Sequence, residues 1–322
     1  MKAAIKIVQG VFLVLCLGYL AYALFNESES IFSLFRNADK IFLLPALLFW
    51  PCGVLISAWF ASQVIETTGR AIHYRDVLAI YLNRIPARYL PGGIWQTFAR
   101  AYDLNNLGLE KGRIATLVFY ENFWTVLLAA LVSSIALVIG NRSGVFGDVA
   151  LLMMLGTVAV FPMAYFFRKT PFVLSMKGYI RITVSGLLFW SVAGSSFIFY
   201  LMAFDSALSD QSLPVLFANY LFSYVIGFIS IFTPQGIGVF ELVMTQLTEF
   251  SIDQSQALIL IAGFRIIVLV GDMIAWSLFV VISKSGGFTA KGSNAEKIED
   301  TINRATKHTT KHESDLPEAG PE

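Results

Sequence analysis

Six segments of this chain are apolar over about 19 residues or more, which is the length that a helix needs to cross the hydrocarbon core of a bilayer. They cover residues 7–25, 41–61, 114–139, 149–167, 182–204 and 257–282. Because lipid offers the backbone no hydrogen-bond partners, such segments must be helical. The chain is 56% hydrophobic and only 14% charged, which excludes an ordinary soluble domain. The sequence therefore predicts an all-α polytopic membrane protein with six transmembrane helices.

The first apolar segment has two interpretations. Lys2 and Lys6 precede it, and Ala21-Tyr22-Ala23 has the small-x-small form of a signal-peptidase site. Cleavage of residues 1–23 is therefore the alternative to an uncleaved first helix, which we expect because the run is long enough to span. The topology of the rest of the chain is the same in both cases.

Two further segments, residues 76–102 and 214–247, are partly apolar and are interrupted near the middle. The first contains Pro91-Gly92-Gly93-Ile94 and the second Pro234-Gln235-Gly236-Ile237, so that Pro, Gly and Ile recur at the same offset, 91 to 234 being 143 residues. Three predicted crossings lie between the two interruptions, and an odd number of crossings turns the second copy upside down. Inverted repeats with interrupted helices are typical of proteins that move a substrate across a bilayer.

The positions of lysine and arginine predict the orientation of the chain, because cytoplasmic loops carry most of them. The basic stretches lie before residue 7, at 70–75, at 84–113, at 168–181 and from 284 onward. All of them face the cytoplasm only if both interrupted segments return to the side from which they start. We therefore expect two oppositely oriented re-entrant segments and cytoplasmic termini, with residues 1–283 as a membrane domain and 284–322 as a disordered cytoplasmic tail.

Three arginines of the first interrupted segment are candidates for binding a lipid phosphate. Arg84 and Arg88 are four residues apart and project from the same face of a helix, and Arg100 follows the interruption. Arginine binds phosphate well because its planar guanidinium donates two parallel hydrogen bonds. The alternative is a positive-inside cluster near anionic headgroups.

Three charged residues lie inside predicted spans, where an unpaired charge is costly. Glu121 is in the third span, and Arg265 and Asp272 are seven residues apart on one face of the last. These side chains are predicted to line a polar cavity for a lipid headgroup. The alternative is a structural ion pair that ties two helices together.

The interruptions themselves are candidate binding elements. Pro and Gly permit a break in which backbone amides point into a cavity, and the helices that start near Ile94 and Ile237 would offer unpaired N–H groups to an anion. The candidates for substrate binding here are Pro91, Gly92, Gly93, Pro234, Gly236 and Gly238. Glu241 follows the second interruption and would face a cationic group of the substrate or the outer interface. The alternative is two ordinary loops.

The sequence contains no motif of a known catalytic site, such as GxSxG, HExxH or a Walker loop. Cys16 and Cys52 both lie in apolar segments without metal-ligand spacing, and His308 and His312 lie in the predicted tail. We expect no catalytic residue, no cofactor, no metal site and no nucleic-acid partner.

Residues 84–124 and 228–265 resemble the lysylphosphatidylglycerol synthase transmembrane-region family, also called the flippase-like domain family. The similar motifs run from Arg88 to Ile94, from Leu107 to Leu109 and from Pro234 to Glu241, with Glu121 and Arg265 besides. The chain departs from the family in Asn122, where the family usually has Arg after Glu, and in Gln235, where it has Gly.

This resemblance implies an integral protein of the bacterial inner membrane. Some members are linked to flipping of aminoacylated phosphatidylglycerol, and others act in pathways that use polyprenol-linked sugars. The resemblance leads us to expect a flippase-like protein that moves an anionic, aminoacylated or polyprenol-linked lipid between leaflets. The alternatives are a non-catalytic membrane partner of a lipid- or glycan-modifying enzyme and, less expected, an enzyme. We do not expect a complete synthase, because the chain lacks the soluble aminoacyl-transferase domain of the bifunctional members.

Overall fold

The computed structural model describes residues 33, 36–89, 94–140, 144–166, 174–208, 211–230 and 236–284. Across these residues the secondary structure is helical, with turns and one isolated antiparallel bridge between Leu208 and Phe250. The prediction of an all-α protein is therefore confirmed for the part of the chain that the structure describes.

Within those ranges there are nine α-helices and two short 3₁₀ helices. The α-helices are α1 (Lys40–Thr67), α2 (Tyr74–Asn83), α3 (Trp95–Asn106), α4 (Lys111–Ile139), α5 (Val145–Phe166), α6 (Met176–Met202), α7 (Leu213–Ile229), α8 (Val239–Leu247) and α9 (Gln254–Lys284). The 3₁₀ helices are Ile85–Tyr89 and Asp205–Ala207.

Four of the described helices, α1, α4, α6 and α9, are long and apolar enough to cross a membrane. They cover four of the six predicted spans, and α5 covers the predicted span at 149–167. The predicted first span, residues 7–25, lies outside the described residues. So do the possible cleavage site and nearly all of the predicted tail. The described helices belong to one compact unit that ends at Val281.

Helix α6 packs along α1 and also contacts α4 and α7. Its glycines permit this close packing. A Cβ atom at Gly194 would lie 2.2 Å from the Phe217 ring of α7, and one at Gly186 would lie 2.6 Å from a methyl group of Leu128 on α4. Small residues allow membrane helices to gain van der Waals contact where the hydrophobic effect gives little drive for association.

Each interrupted segment consists of short helices that pack back on each other. In the first, α2 and the following 3₁₀ helix contact α3, which begins at Trp95, one residue after the predicted start. In the second, α8 packs against α7 and begins at Val239, two residues after the predicted start. Residues 90–93 and 231–235, including Pro91, Gly92, Gly93 and Pro234, lie outside the described residues.

The chain after the second interruption depends on glycine. Gly236 and Gly238 have φ angles of 69° and 87°, in the left-handed region. A Cβ atom at Gly236 would lie 3.0 Å from backbone atoms of Gly227 on α7. Glycine at position 236 thus lets the chain bring α8 directly against the end of α7.

Candidate functional site

A buried carboxylate on the last long helix joins it to the first interrupted segment. Asp272 of α9 is fully buried, and its Oδ2 accepts hydrogen bonds of 2.8 Å from Arg88 Nη1 and from the Tyr89 hydroxyl. Its Oδ1 accepts a third, also of 2.8 Å, from the indole Nε1 of Trp50 on α1. Arg88 also donates through Nε to Gln96 Oε1 at 3.3 Å. Asp272 therefore fixes a cation of the first interrupted segment, as a buried charge requires.

A second ion pair joins α3 to α4. Arg100 Nη1 lies 3.3 Å from Glu121 Oε1, and the same oxygen accepts a hydrogen bond from the Tyr81 hydroxyl of α2. The Arg100 guanidinium also lies 4.4 Å from the centre of the Tyr81 ring, a cation–π contact. The Nε of Arg100 is buried without a hydrogen-bond partner. This guanidinium therefore has a donor left for a further acceptor.

The third arginine of the segment pairs within the segment itself. Arg84, at the end of α2, donates from Nε and Nη2 to the two carboxylate oxygens of Asp103 on α3, at 2.6 and 2.8 Å. These hydrogen bonds raise the pKa of Arg84 above its ordinary value. The bidentate pair clamps the two helices that flank the first interruption.

A fourth pair follows the second interruption. Arg265 Nε of α9 donates to Oε1 of the buried Glu241 on α8 at 2.6 Å. The other oxygen, Oε2, accepts a hydrogen bond of 2.7 Å from the backbone N–H of Gly238, which caps the start of α8. Glu241 therefore satisfies one of the free amides of the helix and neutralises Arg265 at the same time.

The two halves share this arrangement with the charges exchanged. In each, the short helix after the interruption forms an ion pair with the long helix that follows it. The first half has the cation on the short helix, Arg100, and the anion on the long one, Glu121. The second half has the anion on the short helix, Glu241, and the cation on the long one, Arg265.

The structure thus places the predicted charged residues in separate pairs and does not gather them in one cavity. Glu121 and Arg265 are not partners of each other, and Asp272 faces Arg88. Each of the three predicted phosphate-binding arginines has a carboxylate partner. Whether these residues bind a substrate stays a prediction.

Sequence reasoning missed the partners of these charges. Trp50, Tyr81, Tyr89 and Asp103 all donate to or accept from a predicted site residue. A usable signal was present, since Tyr and Trp inside apolar helices need a partner for the polar tip. Among the residues that the structure describes, no group of three or more His, Cys, Asp or Glu side chains is placed to hold a metal ion.

The family comparison agrees with the residues that suggested it. Residues 6–275 match the model of the lysylphosphatidylglycerol synthase TM region. No curated protein matches the chain. Together with the long apolar helices, the match makes the chain an integral membrane protein with a domain related to lipid handling. The chain belongs to the lysylphosphatidylglycerol synthase TM region family.

Proposed function

We propose that this protein moves a lipid with a phosphate-bearing headgroup between the two leaflets of the bacterial inner membrane. The proposal includes the finer topology expected from the sequence: six crossings, two oppositely oriented re-entrant segments and cytoplasmic termini. The anionic, aminoacylated and polyprenol-linked lipids of the sequence-based prediction all carry the required phosphate.

The observation that carries the proposal is the contact between Asp272 and Arg88. A carboxylate of a membrane-spanning helix is buried against a cation of an interrupted segment, and Tyr89 and Trp50 complete its hydrogen bonds. Charges at such positions are costly and are typical of substrate pathways in membrane proteins.

Exchange of partners would let a lipid enter this site. Guanidinium groups bind phosphate and carboxylate with the same planar geometry, so a lipid phosphate can replace Asp272 or Glu121 as the acceptor. The free Nε of Arg100 offers one donor before any pair has to separate. A headgroup that passes from one arginine to the next avoids the large cost of entering hydrocarbon unpaired.

The test is leaflet exchange by the purified protein in vesicles. Fluorescent phosphatidylglycerol is placed in both leaflets, and an impermeant reductant bleaches the outer one. We expect the full-length protein to make the inner pool accessible, and Arg88→Gln to slow this exchange strongly because it removes the charge that the phosphate needs.

Arg181→Gln is the matched control, because Arg181 forms an exposed ion pair with Glu66 at 3.2 Å, away from these pairs. It should exchange lipid at the rate of the unchanged protein. A protected inner pool with the unchanged protein would contradict the proposal. Exchange that appears only after a lipid-modifying enzyme is added would instead favour the role of a membrane partner.

A further inference from the structure

An apolar groove runs between α4, α5 and α7. Its volume is about 630 Å³, and among its described lining residues only Asn122 and Thr157 carry hydrogen-bonding side chains. Asn122 Nδ2 donates to the Val118 carbonyl at 2.8 Å, and the Thr157 hydroxyl donates to the Met154 carbonyl at 2.9 Å. Because these donors are used within their own helices, the groove presents a hydrocarbon surface.

The groove is long and narrow. Along α4 its lining extends from Val118 to Ala130, twelve residues, which is ~18 Å at the rise of an α-helix. That length is more than half of the ~30 Å thickness of the hydrocarbon core. Phe119 and Phe123 stack with ring centres 5.0 Å apart and form part of one wall.

One end of the groove adjoins the ion pair of α3 and α4. Asn122 lines the groove, and its neighbour Glu121 forms the pair with Arg100. From this turn the groove continues along α4 away from Lys111, at the basic end of the helix, toward Ala130. A lipid with its headgroup at Arg100 would therefore have its tail directed into the groove.

The volume favours a single hydrocarbon chain over a helix. An α-helix with side chains is ~10 Å across, so that 18 Å of helix fills roughly 1,400 Å³. That is more than twice the volume of the groove. A hydrocarbon chain is much narrower, because its width is set by carbon–carbon contacts of about 4 Å.

We propose that this groove holds one acyl chain of a glycerophospholipid whose phosphate lies at Arg100 and Glu121. The inference rests on the proposed function, which it extends from the headgroup to the tail. The headgroup pairs select for phosphate, and the groove selects for a chain that lies straight along α4.

Gly156 of α5 gives a way to fill the groove without strain. It lines the groove, and a Cβ atom added there would meet no other atom within 4 Å. Gly112 of α4 is the matched control, because a Cβ atom there also meets nothing within 4 Å and the residue does not line the groove. Replacing glycine by leucine inside a helix favours the helix, so neither variant should unfold.

The experiment is photo-cross-linking in vesicles of phosphatidylglycerol and phosphatidylcholine that contain a small fraction of a polyprenyl phosphate. Phe123, which is 40% exposed in the groove wall, is replaced by p-benzoylphenylalanine. The adduct is identified by mass. We expect a glycerophospholipid adduct that falls to background with Gly156→Leu and is retained with Gly112→Leu.

A second probe position measures contact with bulk lipid. Leu48 of α1 is 58% exposed and lies outside the groove, so its adduct should not change with Gly156→Leu. A lipid adduct at Phe123 that is equally insensitive would overturn the inference. An adduct to a second copy of the chain, to another part of the same chain or to the polyprenyl phosphate would overturn it as well.

Cross-linking and leaflet exchange report separately on the groove and on the proposed function. A groove adduct that is lost with Gly156→Leu, in a protein that exchanges no lipid, would retain the groove and reject lipid transfer. Exchange without a groove adduct would reject the groove and retain lipid transfer.

Discussion

Arg88 and Asp272 form a 2.8 Å ion pair, although 184 residues separate them in the chain. The pair joins the first interrupted segment to the last long helix. Asp272 is fully buried, whereas about a third of the Arg88 side chain is exposed. The anion therefore depends on this contact more than the cation does.

Asp272→Asn should destabilise the protein, because it removes the negative charge that compensates the partly buried Arg88. Breaking one partner of a buried pair costs about 3 kcal/mol or more, and the exposure of Arg88 places this pair at the lower end. The measurement is the thermal unfolding midpoint of the purified protein in detergent. Glu66→Gln, which breaks an exposed pair with Arg181, should shift the midpoint far less. Equal shifts in the two variants would show that Asp272 contributes no more than a surface charge.

Glu241 has two roles that two substitutions can separate. Glu241→Gln keeps an oxygen that can accept from the Gly238 N–H but loses the charge that faces Arg265. Glu241→Ala loses both, and loss of a helix cap costs about 1 kcal/mol more. We expect the alanine variant to unfold at the lower temperature. If the two variants unfold together, the contact with Gly238 contributes nothing to stability.

Gly236→Ala should be more harmful than Gly69→Ala. Both glycines have positive φ, 69° and 84°, so each substitution incurs the left-handed strain of about 1–2 kcal/mol. Only position 236 adds a backbone contact of 3.0 Å, to Gly227, whereas a Cβ atom at Gly69 finds its nearest neighbour at 4.0 Å. The difference between the two unfolding midpoints measures the close approach of α7 and α8. A larger shift for Gly69→Ala would contradict this packing.

The proposed orientation can be checked by cysteine labelling in a variant without Cys16 and Cys52. Asp148 at the start of α5 and Lys177 at the start of α6 are both exposed in the fold, and the expected orientation places them on opposite sides. An impermeant maleimide added outside intact cells should label Asp148→Cys and not Lys177→Cys. Labelling of Lys177→Cys alone would reverse the orientation.

Local features of the sequence predict the helices well. Length and apolar composition locate α1, α4, α6 and α9, because a membrane helix must satisfy its backbone internally. The starts of α3 and α8 lie within two residues of the predictions, since Pro and Gly limit where a helix can begin.

The same reasoning identifies charged residues but not their partners. Arg265 and Asp272 share a face of α9 by their spacing, yet one contacts Glu241 and the other Arg88. Those contacts depend on which short helix packs beside each turn of α9, a tertiary relationship that periodicity does not contain.

The exchange of charges between the two halves makes them respond differently to the same ligand. An anion that competes at the first pair replaces Glu121 and remains attached to Arg100, on the short helix. At the second pair it replaces Glu241 and remains attached to Arg265, on the long helix. A bound phosphate would therefore travel with the short helix in one half and stay with the long helix in the other. A single anionic cargo thus has a mobile carrier on one side of the protein and a fixed berth on the other.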